Sequence, residues 1–184
     1  MSDIPRRRLL AGVALVPVSA LRSAAAVSVF SADQRRCLEA FANRLVPHDE
    51  NGPGAVECGA VEYIERSLGD PQVGGKEAVV AGLEAVDALA RQAYGAALAE
   101  LAADKQDAVV SAVESGAGAA GFFAMMRRLV LEGMFCDPSW GGNRGYAGWD
   151  LIRYPGPRLA VAPEDQQVGV AVKPFRPSGG SHGH

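Results

Sequence analysis

The chain has 184 residues, 48% of them apolar, and a formal net charge of −3. That is enough for one hydrophobic core, and so mild an acidic balance argues against nucleic acid, which demands clustered Lys and Arg. Three cysteines (Cys37, Cys58 and Cys136) are an odd number without C-x-x-C spacing, so they form neither a fully paired framework nor a zinc pattern.

Residues 1–26 read as an export signal. Arg6, Arg7 and Arg8 form a basic start, residues 9–21 are an apolar run, and Ala24, Ala25 and Ala26 supply a small-residue cleavage site. The apolar run is shorter than the roughly 20 residues a spanning helix needs. The adjacent arginines before Leu9 and Leu10, with Arg22 close to the cleavage site, resemble a twin-arginine signal. Cleavage after Ala26 removes four arginines and one aspartate, a loss of three positive charges that leaves about −6. The expected division is a signal over 1–26, a helical domain over 27–158 and an extended, partly disordered tail over 159–184.

Ser31 and Gln34 form a capping box with Phe30 before it, and the helix runs to Val46 with Cys37, Leu38, Phe41 and Leu45 on one face. Pro47 stops it. After the polar turn 48–54, a short helix is expected over 56–68, with Val61, Ile64 and Leu68 inward. The longest helical pattern covers 76–101, rich in alanine. Asp104 is expected to cap a helix over 105–114. Residues 121–134 form the most apolar helix, with Phe122, Phe123, Met126, Leu129, Val130 and Met134. No run alternates with period two over five residues. The fold class is therefore all-α, a bundle of about five helices with a long C-terminal extension.

Residues 135–158 hold both tryptophans, and their Gly and Pro density reads as an extended loop without helix. A loop of this length is usually functional or disordered. Trp140, Tyr146, Trp149, Leu151, Ile152 and Tyr154 are too apolar for disorder. The loop therefore lies against its own helices or against another protein. Trp, Tyr and Arg concentrate binding energy at protein contacts, which favours an interface.

Other motifs carry less. Residues 116–121 spell G-x-G-x-x-G, but a helical pattern precedes them and no second strand follows, so an interhelix turn is the better reading than dinucleotide binding. His48, Asp49, Glu50, Glu57 and Cys58 read as a solvated turn before a helix rather than a metal site. His182 and His184 read as a terminal tract. His48 is the one interior histidine, and nothing in the sequence sets it beside Cys136 or Ser139 for nucleophilic catalysis.

Three blocks carry a family resemblance. The first is Leu45-Val46-Pro47-His48-Asp49 with Pro53-Gly54-Ala55 and Gly59. The second runs from Phe122-Phe123 to Glu132-Gly133-Met134-Phe135. The third is Asp137-Pro138-Ser139-Trp140-Gly141-Gly142-Asn143 with Gly148-Trp149 and Tyr154-Pro155-Gly156. On these the chain resembles the gluconate 2-dehydrogenase subunit 3 family, the small subunits of periplasmic FAD-dependent sugar and alcohol dehydrogenases. Trp140 stands where a Tyr is common, and Arg153 where a Gly often precedes the Tyr-Pro-Gly. The resemblance implies no cofactor in this chain, FAD in a large catalytic subunit, and onward electron transfer through a cytochrome c subunit with haem c or another carrier. It also implies export by the twin-arginine translocase to the periplasm, with the large subunit carried along. The expected role is a non-catalytic small subunit that binds, stabilises and helps export a dehydrogenase of the glucose–methanol–choline type. Its expected contact is the 137–156 loop with the helix over 122–135, through Phe123, Asp137, Trp140, Asn143, Arg144, Trp149 and Tyr154. The alternative is that Arg144 or His48 also closes over the substrate site of a gluconate, glucose or glucoside 3-dehydrogenase complex.

Overall fold

The computed structural model describes residues 28–116, 120–158, 163–169 and 172–177. The export signal, the middle of the G-x-G-x-x-G motif, His182 and His184 lie outside the described residues.

Six α-helices build the described part: α1 (Ala32–Leu45), α2 (Ala60–Gly69), α3 (Lys76–Tyr94), α4 (Ala103–Ser115), α5 (Ala120–Phe135) and α6 (Ala147–Leu151). Among the described residues there is no strand, and a lone bridge joins Asp49 and Gly52. None of the described helices is by itself long and apolar enough to cross a membrane.

The capping box of α1 forms as its sequence implies. Ser31 Oγ accepts from the Gln34 amide at 3.2 Å, Gln34 Oε1 accepts from the Ser31 amide at 2.9 Å, and Phe30 is buried beneath. Satisfying two of the orphan amides of the first turn fixes where the helix begins. Leu38 and Phe41 then enter the core, where the Phe41 ring meets Phe122 at 5.7 Å and Phe123 at 6.3 Å. Val61 and Ile64 of α2, Val79, Leu83 and Val86 of α3, Val109 and Val113 of α4, and Met126, Val130 and Met134 of α5 complete that core.

Three boundaries differ from the sequence expectation. The helix expected from residue 56 begins at Ala60. Gly59 takes a left-handed φ of 83°, and the Cys58 carbonyl accepts the Arg144 amide at 2.8 Å, so that carbonyl turns toward the later loop. The helix expected to reach residue 101 ends at Tyr94, because Gly95 closes it at φ 80°. Beyond it, Leu98–Glu100 make one tight turn whose first amide donates to the buried Asp87 carboxylate at 2.9 Å. α4 starts at Ala103 with Ala102 as its cap, and Asp104 sits inside the first turn rather than before it. There its charge meets the positive end of the helix.

Two glycines set helix spacing. A β-carbon at Gly133 would lie 2.7 Å from Ala60 Cα, so α5 rests on the first residue of α2 at backbone distance. A β-carbon at Gly82 would lie 2.0 Å from the Phe122 ring, which α3 accommodates only by having none. Cys37, Cys58 and Cys136 are free thiols, the first two buried. Burial, and then the Asp87 carboxylate, push the Cys37 thiol well up, so it packs as an unreactive apolar group.

Candidate partner-binding surface

The segment after α5, expected to be loop throughout, is partly helical. Pro138–Trp140 and Arg144–Tyr146 are single 3-10 turns, and α6 follows directly. Its glycines permit this structure instead of preventing it. Gly148 lies inside α6 where a β-carbon would stand 1.9 Å from Met134 O, so the short helix tucks against the end of α5. Gly142 is as tightly placed, since a β-carbon there would stand 2.1 Å from Gly133 O.

Asn143 holds this arrangement together. It is fully buried and takes a left-handed φ of 42°. Its amide donates to Gly133 O at 2.7 Å and its carbonyl accepts from Tyr146. In the side chain, Nδ2 donates to Cys136 O at 2.9 Å, while Oδ1 accepts from the Gly148 amide at 2.9 Å and the Trp149 amide at 3.4 Å. One amide side chain thus satisfies three backbone groups from both sides of the loop, which is the condition for burying it.

Trp149 is the apolar counterpart. It is 4% exposed, its Nε1 donates to Phe135 O at 2.9 Å, and its ring lies 5.3 Å from Tyr146 and edge-on to Tyr154 at 5.1 Å. Asp137 Oδ1 caps the first turn by accepting from the Ser139 amide at 2.9 Å. Arg144 pairs with Glu62 at 3.1 Å, and Glu62 also meets Arg35, which reaches Glu39 and Glu65. The loop is tied through that relay to α2 and α1.

The three sequence blocks of the resemblance converge here. Gly59 faces Arg144 and Gly142, Gly133 faces Ala60, and Gly142 and Gly148 lie on the last turn of α5.

The seven residues expected at an interface divide by position. Asn143 and Trp149 are buried within the chain, and Asp137 is half-buried. Trp140 is 67% exposed, Tyr154 is 39% exposed, and Arg144 is exposed beside its ion pair. Phe123 is half-buried, twelve residues before Phe135 on α5, about 18 Å along the helix axis at 1.5 Å per residue. It does not join the loop residues. Ile152 and Phe175 are exposed on the loop and on the tail beside it, at 55% and 52%. Phe175 was not singled out in the sequence. Its one signal is an aromatic residue in a proline-rich tail, where no core accounts for it.

The turn around His48 is a small polar structure of its own. His48 Nδ1 lies 2.7 Å from Glu57 Oε2, and Glu57 also accepts the Gly54 amide at 3.0 Å. Those two bonds hold the Glu57 carboxyl below its ordinary range. Among the described residues, no group of three or more His, Cys, Asp and Glu is placed to hold a metal ion. A cleft of about 240 Å³ lies between α1 and α3, lined by Gln34, Cys37, Glu84, Asp87 and Arg91 among others; no residue of the aromatic loop reaches it.

A family model described as Gluconate 2-dehydrogenase subunit 3 matches residues 32–156, from the start of α1 through the aromatic loop. No curated protein and no solved structure matches the chain.

Proposed function

The chain belongs to the gluconate 2-dehydrogenase subunit 3 family, and from that premise we propose that it is the exported, non-catalytic small subunit that binds and stabilises an FAD-dependent dehydrogenase. Membership makes it a subunit of a dehydrogenase complex, with a catalytic partner. In this reading the partner carries FAD and oxidises a sugar or alcohol. A cytochrome c subunit or similar carrier takes the electrons, and the twin-arginine route brings both chains to the periplasm.

One observation supports this reading above the others. The loop satisfies its polar groups internally, through Asn143, Asp137 and the Trp149 indole, yet turns Trp140, Ile152 and Tyr154 outward. A braced loop that presents large apolar side chains loses little conformational entropy on docking. Asn143 and Trp149 act within this reading as braces, and Trp140 and Tyr154 as the side chains that meet the partner. Arg144 is engaged by Glu62, which supports a positioning role for it over a share in the substrate site.

Trp140→Ala tests the assignment. An exposed Trp contributes little to the chain's own stability, whereas a buried interface Trp is worth about 2 kcal/mol or more, roughly 30-fold in affinity. The variant should melt as the parent does and retain far less flavoprotein on co-purification. Full retention would remove Trp140 from the contact.

A further inference from the structure

Beyond the matched segment, residues 172–177 return to the aromatic loop and lie across it. The Phe175 amide donates to Pro155 O at 2.7 Å. Gly156, at φ 95°, allows this approach, since a β-carbon there would stand 2.1 Å from Phe175 O. The Arg176 guanidinium sits 5.2 Å from the Tyr146 ring centre and 5.7 Å from that of Trp149. It donates to Tyr154 O at 3.3 Å and ion-pairs with Asp150. The Tyr146 hydroxyl donates to Pro177 O. Arg158 pairs with Asp165 at 2.6 Å and donates to Lys173 O, holding the near end of the segment.

The geometry points to a peptide-binding site on the loop, built for an extended segment that carries an arginine and filled in cis by residues 172–177. Each part of the site matches one part of such a ligand. Two aromatic rings take the guanidinium cation, a carboxylate takes its charge, and a backbone carbonyl takes a further N–H. The Pro155 carbonyl reads the ligand's main chain, and the glycine lets the two backbones meet. A lysine brings the charge but not the planar, forked guanidinium that reaches two rings, a carboxylate and a carbonyl together. The bound strap leaves Phe175 half exposed beside the loop, with Trp149 buried and Tyr146 half-buried next to it. Release of the strap opens the Tyr146 and Trp149 rings and the Asp150 carboxylate to another arginine-bearing segment.

The test uses full-length chain with Arg176→Ala, in which the strap keeps its tether but loses its anchor. Backbone hydrogen exchange over residues 146–156 should rise at least tenfold, with the helical circular dichroism unchanged. A synthetic hexapeptide with the sequence of residues 172–177 should restore protection in this variant in a saturable way, and the same peptide with alanine for its arginine should not. In the parent chain the peptide should have at most a tenth of that effect, because the site is occupied. Unchanged exchange in Arg176→Ala, or failure of the arginine peptide to restore protection, would overturn the site.

Discussion

Asn143→Ala should lower the stability of the chain by about 4 kcal/mol, the largest single effect expected outside the helical core. The substitution strands three backbone groups, the Cys136 carbonyl and the amides of Gly148 and Trp149. Each buried group left without a partner costs about 1–3 kcal/mol, although the loop can recover part of this by opening to water. A further cost of roughly 1 kcal/mol comes from an alanine held at φ 42°. At a shift of about 2–4 °C per kcal/mol for a chain of this size, the melting midpoint should fall by roughly 10 °C. Asn143→Gly separates the two contributions. It loses the same three bonds but adopts the left-handed backbone freely, so it should be milder than alanine by about 1 kcal/mol. Trp149 reports the mechanism directly, since its indole is buried and its backbone amide bonds to Asn143, so its emission should shift red as the loop detaches. A variant that melts as the parent does, with unchanged emission, would show that Asn143 does not hold the loop.

Gly148→Ala should cost about 2–3 kcal/mol by a different route. The added methyl would meet Met134 O at 1.9 Å and Met134 C at 2.9 Å, both backbone atoms in the last turn of α5. No side-chain rotation relieves such a contact, and overpacking that moves backbone typically costs about 1–3 kcal/mol. α6 must lift away, and Trp149 then loses its bond to Phe135 O. Gly145→Ala is the control, because a β-carbon there meets nothing within 4 Å and only its φ of 61° opposes the change. Its cost should stay near 1 kcal/mol. Equal melting of the two variants would contradict the close seat of α6 on α5.

How far the sequence discloses this molecule depends on whether the deciding contact is local. The start of α1 is legible because Ser31 and Gln34 bond to each other within one turn. The start of α2 is not, because it depends on the Cys58 carbonyl being taken by Arg144, far along the chain. Gly95 did offer a local signal, but alanines on both sides, at 88, 90, 93, 96 and 97, sustain the helical pattern across it. The glycines around α6 mislead in the opposite direction. Gly142 and Gly148 read as breakers, whereas their role is to let the backbone pass close to Gly133 and Met134.

The site divides on the same line. The aromatic and amide residues that matter are conspicuous by type, and all but Phe123 fall in one place. Which of them face inward is a tertiary property. Asn143 and Trp149 look like anchors for a partner and are braces for the loop, while the exposed Trp140 sits two residues from the fully enclosed Gly142. The strap was illegible because the segment that binds the loop lies some twenty residues beyond it, and Arg176 acquires its meaning only against Tyr146 and Trp149.

Affinity purification of the full-length protein from its native host decides whether this chain works as the small subunit of a flavin-dependent dehydrogenase. The eluate should contain a second, larger chain in fixed proportion, show the absorbance bands of bound flavin, and oxidise a sugar or alcohol when given an electron acceptor. A colourless eluate holding this chain alone would show that it is not such a subunit.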